Sequence, residues 1–185
     1  MIIRMAQESD APGMGRVMVE TYLRAHKGQI PDGAWRSRQE DWSPEESATN
    51  WARAIRAIAE ESESQECIYV AVEDALQAEQ VVGLIMGGPT GVAGYEGCGD
   101  IYALYVDFAH QGRGIGRKLI KAAARQLRQL GMSGLIIRSL STNAPGNHFY
   151  ESFGGQFVGE CAAEDSGYPI TQRIYHWAEM PIGDE

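Results

Sequence analysis

An α/β fold of mixed α+β character is what the sequence predicts: a mixed, mostly antiparallel sheet of about seven strands, flanked by about four helices. Three observations lead there. Short runs rich in β-branched and aromatic residues recur, among them "CIYVAVED", "QVVGLIMGG" and "DIYALYV". Around them lie longer stretches with apolar residues at helical spacing and recognisable caps. Finally, successive strands feed a strand–helix–strand unit, which joins an antiparallel meander to a crossover. The 185 residues hold no repeat, low-complexity tract or linker, so residues 1–185 are expected to form one domain.

Each element has its own warrant. "MIIRMA" reads as an opening strand. In "ESDAPGMGRVMVETYLRAHKG", Ser9 or Asp10 caps a helix whose Met14, Val17, Met18, Tyr22 and Leu23 repeat at helical spacing, ending near Gly28. "QIPDGAWRSRQEDW" is rich in turn formers and reads as a connection. A second helix opens with Ser43 as N-cap, Pro44 at the first position and Glu46 three residues on, and puts Trp51, Ile55 and Ile58 on one face. "CIYVAVED" and "QVVGLIMGG" then form a hairpin across a short polar connection, the glycine-rich loop "GPTGVAGYEGCG" follows, and "DIYALYV" is the next strand. The third helix turns Ile115, Leu119, Ile120, Ala123, Leu127 and Leu130 inward and closes at Gly131. "GLIIRSLS" is a buried strand, "NAPGNHFYESFGG" a short helix, and "QFVGECAA" and "QRIYHWAEM" are the last two strands.

Composition narrows the function. A net charge of −9 argues against general nucleic-acid binding, which needs a basic footprint; the acidity suits a cationic substrate or serves solubility alone. Cys67, Cys98 and Cys161 lack CxxC spacing and read as free thiols in a reducing compartment. His26, His110, His148 and His176 are scattered, so no metal is expected. With no signal-peptide core and no run of membrane-spanning length, no membrane partner is expected and the cytoplasm is the expected compartment.

The stretch "YVDFAHQGRGIGRKLIKAAARQL" sets three glycines and several basic residues between a strand and a helix. Unsatisfied N–H groups and the helix dipole make such a junction an anion site. A Walker loop fails, because Arg117 stands where its second glycine belongs. A dinucleotide fingerprint fails as well, ending on Arg117 or Leu119. What fits is Q/R-x-x-G-x-G/A, through Gln111, Gly114 and Gly116.

On that motif, with "LYV" just before it and "NAPGNHFYESFGG" one strand later, the chain resembles the GNAT superfamily of acyl-CoA-dependent N-acetyltransferases. The resemblance implies a splayed GNAT-like sheet and acetyl-CoA as co-substrate, without a metal. It also implies that amides of Gly112, Arg113, Gly114, Ile115, Gly116 and Arg117 hold the pyrophosphate. Arg113, Arg117 or Lys118 meet the phosphates, or Arg117 and Lys118 form a solvated helix face. Leu104, Tyr105 and Val106 lie on the strand that splays, and the backbone of Leu104 and Val106 pairs with the pantetheine arm. Asn143 resembles the asparagine that contacts that arm, and Asn147 is a second candidate. Gly146 replaces the usual alanine and Gly155 a common aromatic.

Acetyl transfer to an amine needs a neutral amine, donors for the oxyanion and a proton for the departing thiolate. Strand N–H groups from Leu104 to Val106 suit the second need. A phenol of pKa ~10 suits the third, and Tyr150 resembles the family's proton donor. For the base, Asp100 falls where some members carry a glutamate; it is that base or a turn-forming aspartate, with Glu96 in reserve and water as the remaining route. Direct attack in a ternary complex needs no nucleophile, and Cys98 has no histidine adjacent in sequence. The resemblance places the acceptor between "HKGQIPDGAWRSRQEDW" and the loop "EDSGYPIT". There Trp35, Glu40, Asp41, Trp42, Glu164, Asp165 and Tyr168 either embrace a cationic amine or pack the fold. The expected function is N-acetylation of a small primary amine or a peptide amine. The rival is a non-catalytic acyl-CoA sensor. A homodimer, through exchange of the final strand or edge pairing, is compatible with this layout.

Overall fold

A computed structural model of the chain describes residues 1–75 and 78–183. Its strands are β1 (Ile2–Met5), β2 (Cys67–Ala75), β3 (Ala78–Pro89), β4 (Gly99–Val106), β5 (Leu135–Leu140), β6 (Gln156–Asp165) and β7 (Tyr168–Trp177). They form one sheet in the order β1-β2-β3-β4-β5-β7-β6. Neighbours are antiparallel except β4 and β5, which run parallel. The helices are α1 (Ala11–His26), α2 (Asp32–Asp41), α3 (Pro44–Glu60), α4 (Ile115–Gln129) and α5 (Ala144–Ser152). The expected mixed sheet is present. The polar connection between β2 and β3 falls at residues 76–77, outside the described residues.

Local chemistry explains most boundaries. Ser43 Oγ accepts the Glu46 N–H at 3.1 Å and Pro44 starts α3, so the capping signal works as read. Asp10 stands at the N-cap of α1, yet its carboxylate is spent elsewhere: on Arg4, at 2.7 and 2.9 Å, and on the Gln7 N–H. That fork ties β1 to the start of α1.

Two expectations need correction. The stretch read as a connection after α1 contains α2, giving five helices among the described residues rather than about four. Only Ala34 of α2 is buried and Pro31 offers no side-chain cap, so neither apolar periodicity nor a start signal marks it. The "EDSGYPIT" loop is a two-residue turn, because Ser166 (φ 49°) and Gly167 (φ 78°) both take left-handed conformations and close a hairpin between Asp165 and Tyr168.

The sheet is covered on both faces. On one, Met14 and Val17 of α1 and Trp51 and Ile55 of α3 pack against Ile68, Val70 and Leu84. The two helices approach so closely that a Cβ on Gly15 would sit 2.3 Å from the Pro44 carbonyl oxygen. On the other face, α4 buries Ile115, Leu119, Ile120, Ala123 and Leu127 against Val82, Ile85, Leu135, Ile137 and Tyr175. Each fully buried Leu or Ile contributes roughly 1.5–3 kcal/mol, and this stripe holds the helix whose N-terminus matters next.

Candidate functional site

The sheet parts at its centre. β4 pairs with β5 only through Gly99, Asp100 and Ile101, opposite Leu135, Ile136 and Ile137. Its pairing with β3 continues to Val106. The divergence begins at a bulge: Ala103 faces Met86 and Ile101 faces Gly87, so Tyr102 is the extra residue. Beyond it, β4 has a free edge toward β5. Asp107 N–H donates to Val82 O at 2.9 Å, on the β3 side. By alternation, the backbone groups of Leu104 and Val106 point the other way, into the gap. The Val106 carbonyl accepts from Gln111 Nε2 at 2.9 Å, so Gln111 steadies the end of the free edge.

A cavity of about 860 Å³ opens along this edge. Leu104, Tyr105 and Val106 form one wall, and Gln111, Gly112, Gly114, Ile115, Gly116 and Arg117 the next. Asn143, Gly146, Phe149 and Tyr150 of the α5 segment stand opposite, and residues from Thr21 to Gln29 close the far end. The glycine loop turns through Gly112 (φ 75°) and Gly114 (φ 76°), a conformation any side chain would strain. Gly114 is the N-cap of α4, so the N–H groups of Ile115, Gly116 and Arg117 have no partner within the helix. No acidic residue sits in that first turn; Arg117 and Lys118 do. Positive charge at the positive end of a helix dipole is unfavourable, and a bound anion relieves it. Arg117 leans on α5, with its guanidinium 5.6 Å from the Phe153 ring centroid. Arg113 is exposed and does not line the cavity.

Across the cavity, Asn143 caps α5 by accepting the Gly146 N–H at 3.2 Å. A Cβ on residue 146 would lie 2.5 Å from Asn143 Nδ2, which accounts for glycine in place of alanine. At Gly155 the Trp177 ring fills the space an aromatic side chain would need, 2.6 Å from a Cβ there. Asn147 is buried and does not line the cavity. Its Nδ2 donates to the carbonyls of Leu140 (3.1 Å) and Ser141 (3.2 Å), fastening α5 to the end of β5.

Tyr150 does line the cavity, packed against Tyr175 and Trp177. Among the described residues nothing hydrogen-bonds its hydroxyl. Burial, then the nearby Tyr105 and Tyr175 phenols, push its pKa well above the usual range for tyrosine, so it stays protonated. Tyr105 is pushed up to about 12, chiefly by burial, with Arg38 pulling down and Asp165 pushing up.

Asp100 is not brought to this cavity. It is fully buried where β4 and β5 are still paired, held by Arg138 Nη2 at 2.9 Å and Thr90 Oγ1 at 3.3 Å. Burial raises its pKa against the pull of Arg138. Glu96 is exposed on the preceding loop and accepts the Gly94 N–H. Cys98 does meet a histidine in space, His176 Nε2 at 4.0 Å, but in a separate cluster with Ile136 and Tyr95.

The proposed acceptor wall is also rearranged. None of Trp35, Glu40, Asp41, Trp42, Glu164, Asp165 and Tyr168 lines the cavity. Asp165 is buried behind it, accepting the Tyr22 hydroxyl and, at 2.8 Å, Arg38 Nε. Trp42 meets Tyr22 edge-on at 5.2 Å, and Trp35 Nε1 donates to Leu23 O at 2.9 Å. Burial opposes the charge on Asp165, but Tyr22 and Arg38 outweigh it and hold the carboxyl below its ordinary range. Sequence reasoning did not single out Tyr22, His26, Gln29 or Arg38, although the last three lie in the stretch "HKGQIPDGAWRSRQEDW" that it assigned to the acceptor, and Tyr22 stands one helical turn before His26.

Among the described residues no group of His, Cys, Asp or Glu is arranged to hold a metal, and no helix is long and apolar enough to cross a membrane. Comparison with known proteins agrees with the architecture. A family model described as the acetyltransferase (GNAT) family matches residues 29–155. Mycothiol acetyltransferase of Acidothermus cellulolyticus is 36% identical over 77 residues, 38% of this chain and 24% of that protein, so the chain spans about a quarter of that relative's length. Among solved structures, PaiA N-acetyltransferase from Thermoplasma acidophilum, in complex with coenzyme A, superposes with a TM-score of 0.68 at 16% identity, over 96% of this chain and 98% of that one. YncA from Salmonella typhimurium, solved with acetyl-CoA, gives 0.63 at 20% identity over 100% and 95%.

Proposed function

Because the chain belongs to the acetyltransferase (GNAT) family, we propose that it is an N-acetyltransferase that takes acetyl-CoA into the β4–β5 cleft and acetylates a primary amine of a small molecule or peptide. The observation that carries this reading is the continuity of three features along one cavity. A free strand edge at Leu104 and Val106 runs into the glycine turn and the unsatisfied N-terminus of α4, and Tyr150 stands opposite.

The residues present fit the co-substrate. The amides of Ile115, Gly116 and Arg117, with the charges of Arg117 and Lys118, would hold the pyrophosphate. The edge of β4 offers strand-like hydrogen bonds to an extended pantetheine arm. The thioester supplies an activated acyl carbon. Free N–H groups on β4 stabilise the oxyanion that develops when the amine attacks. The Tyr150 hydroxyl, uncommitted and kept protonated, gives its proton to the departing thiolate. Holding both reactants in one cleft accounts for much of the acceleration.

Thiol release from acetyl-CoA with a panel of primary amines tests the proposal. Amine-dependent release supports it. Saturable acetyl-CoA binding without release from any amine would instead establish a sensor.

A further inference from the structure

Two lone pairs at the α1 end of the cavity have no partner among the described residues. His26 Nδ1 lies 3.1 Å from the Tyr22 carbonyl, which can only accept, so Nδ1 carries the ring hydrogen and Nε2 is left as an acceptor. Nε2 has no partner among the described residues, and His26 lines the cavity. One turn later Gln29 lines the same end, with its Oε1 buried and unpartnered. Both sit on a fixed segment. The Gln29 N–H donates to His26 O at 2.9 Å, and Gln29 O accepts from Thr142 Oγ1 at 2.7 Å.

We infer that His26 is the general base for the acceptor amine and that Gln29 Oε1 accepts a second N–H of the same nitrogen; the inference rests on the acetyltransferase reading above. An amine nitrogen offers two or three N–H groups, and His26 Nε2 and Gln29 Oε1 are two unpartnered acceptors for them, while the Arg24 guanidinium, which lines the same end, lies over the Phe108 ring. The charged and titratable groups around His26 are Tyr22 and Arg24 on α1, Arg38 on α2, Tyr105 on β4 and Asp165 on β6, of which Arg24 and Tyr105 line the cavity. Asp165 is already matched by Arg38 and Tyr22, so no unpaired carboxylate holds the amine as ammonium. Burial favours the neutral imidazole, outweighing the Tyr22 carbonyl and Asp165.

The proton balance closes. The neutral amine attacks the acyl carbon; the C–N bond forms and the C–S bond breaks. His26 Nε2 takes the proton that the nitrogen sheds as it becomes cationic, and Tyr150 gives its proton to the thiolate. Solvent then removes the proton from His26 and restores one to Tyr150.

The test uses the whole protein, acetyl-CoA, and a diamine, an aminoglycoside and a tripeptide as amines. Thiol release is followed as a function of pH, alongside long-range proton–nitrogen spectra of the imidazoles. For the wild type, log kcat/KM should rise with a slope of about one where only the amine titrates, and about two at more acid pH, below the ordinary imidazole range, where His26 is also protonated. His26→Gln should lower kcat/KM roughly 10²-fold and erase the steeper limb, with coenzyme A affinity retained. Gln29→Leu should raise KM for the amine more than it lowers kcat. The spectra should show the Nδ1–H tautomer. A wild type that turns over while His26→Gln keeps its two-slope profile overturns the base assignment alone, and so does an Nε2–H tautomer, which is read on the wild type even if the variant misfolds. A wild type that turns over no amine overturns the acetyltransferase reading and this inference together.

Discussion

Replacing Tyr150 by Phe removes one oxygen from the cavity and keeps the ring packing on Tyr175 and Trp177. The expected outcome is a kcat lower by roughly 10²–10⁴-fold, with coenzyme A affinity changed by less than about threefold, as steady-state kinetics and calorimetry would measure. The sign of its pKa shift matters here. A raised value keeps the donor loaded through neutral pH and loses it only as pH climbs above the ordinary ~10. Asp100→Asn makes the opposite prediction. Its carboxylate is committed to Arg138 and Thr90 outside the cavity, so the pH dependence of kcat/KM should keep its shape. A lost limb in that variant would restore Asp100 as the base. Residues of these two kinds differ in legibility. The place of Tyr150 on the cavity wall was readable because its motif is local. The burial of Asp100 and its pairing with Arg138, 38 positions away, depend on tertiary contacts that no spacing encodes.

At the level of elements, Asp165 fastens three of them. Tyr22 comes from α1, Arg38 from α2, and the carboxylate from the last rung of β6. Asp165→Asn weakens charge-assisted hydrogen bonds and should cost about 1–3 kcal/mol at neutral pH. Because the native carboxyl is held below its unfolded value, the stability it contributes is present above about pH 4 and lost as pH falls through the folded value. Urea melts across that range should therefore show a shallower acid loss in the variant than in the wild type. The amphipathic α4 and the capped α3 were legible because period and caps agree. α2 was not: its place is set by Arg38 reaching Asp165, 127 residues on, and by Trp35 bonding to Leu23. The Ser166–Gly167 turn was signalled by its Ser-Gly pair but read as part of a longer loop.

For the molecule as a whole, ligand binding and stability are coupled. If the β4 edge and the α4 N-terminus together grip coenzyme A, ligand at about a hundred times Kd adds roughly 2.7 kcal/mol. For a chain of this size, that raises Tm by roughly 5–10 °C in a thermal shift experiment. No upward shift at millimolar ligand would contradict the proposed occupant. The global arrangement was largely readable, because strand order and the glycine motif point the same way. The detail of where β4 leaves β5 was not, since it is fixed by the surplus Tyr102, which pattern alone does not reveal. That short overlap also has a mechanical consequence. Two sub-sheets, one ending in β4 and the other beginning with β5, share three rungs, are spanned by α4, which packs on both, and are laced at the far end by Tyr22 and Arg38 reaching Asp165. Any breathing of the protein then takes the form of two plates hinging about those fastenings, and whatever fills the seam between them stiffens the whole body.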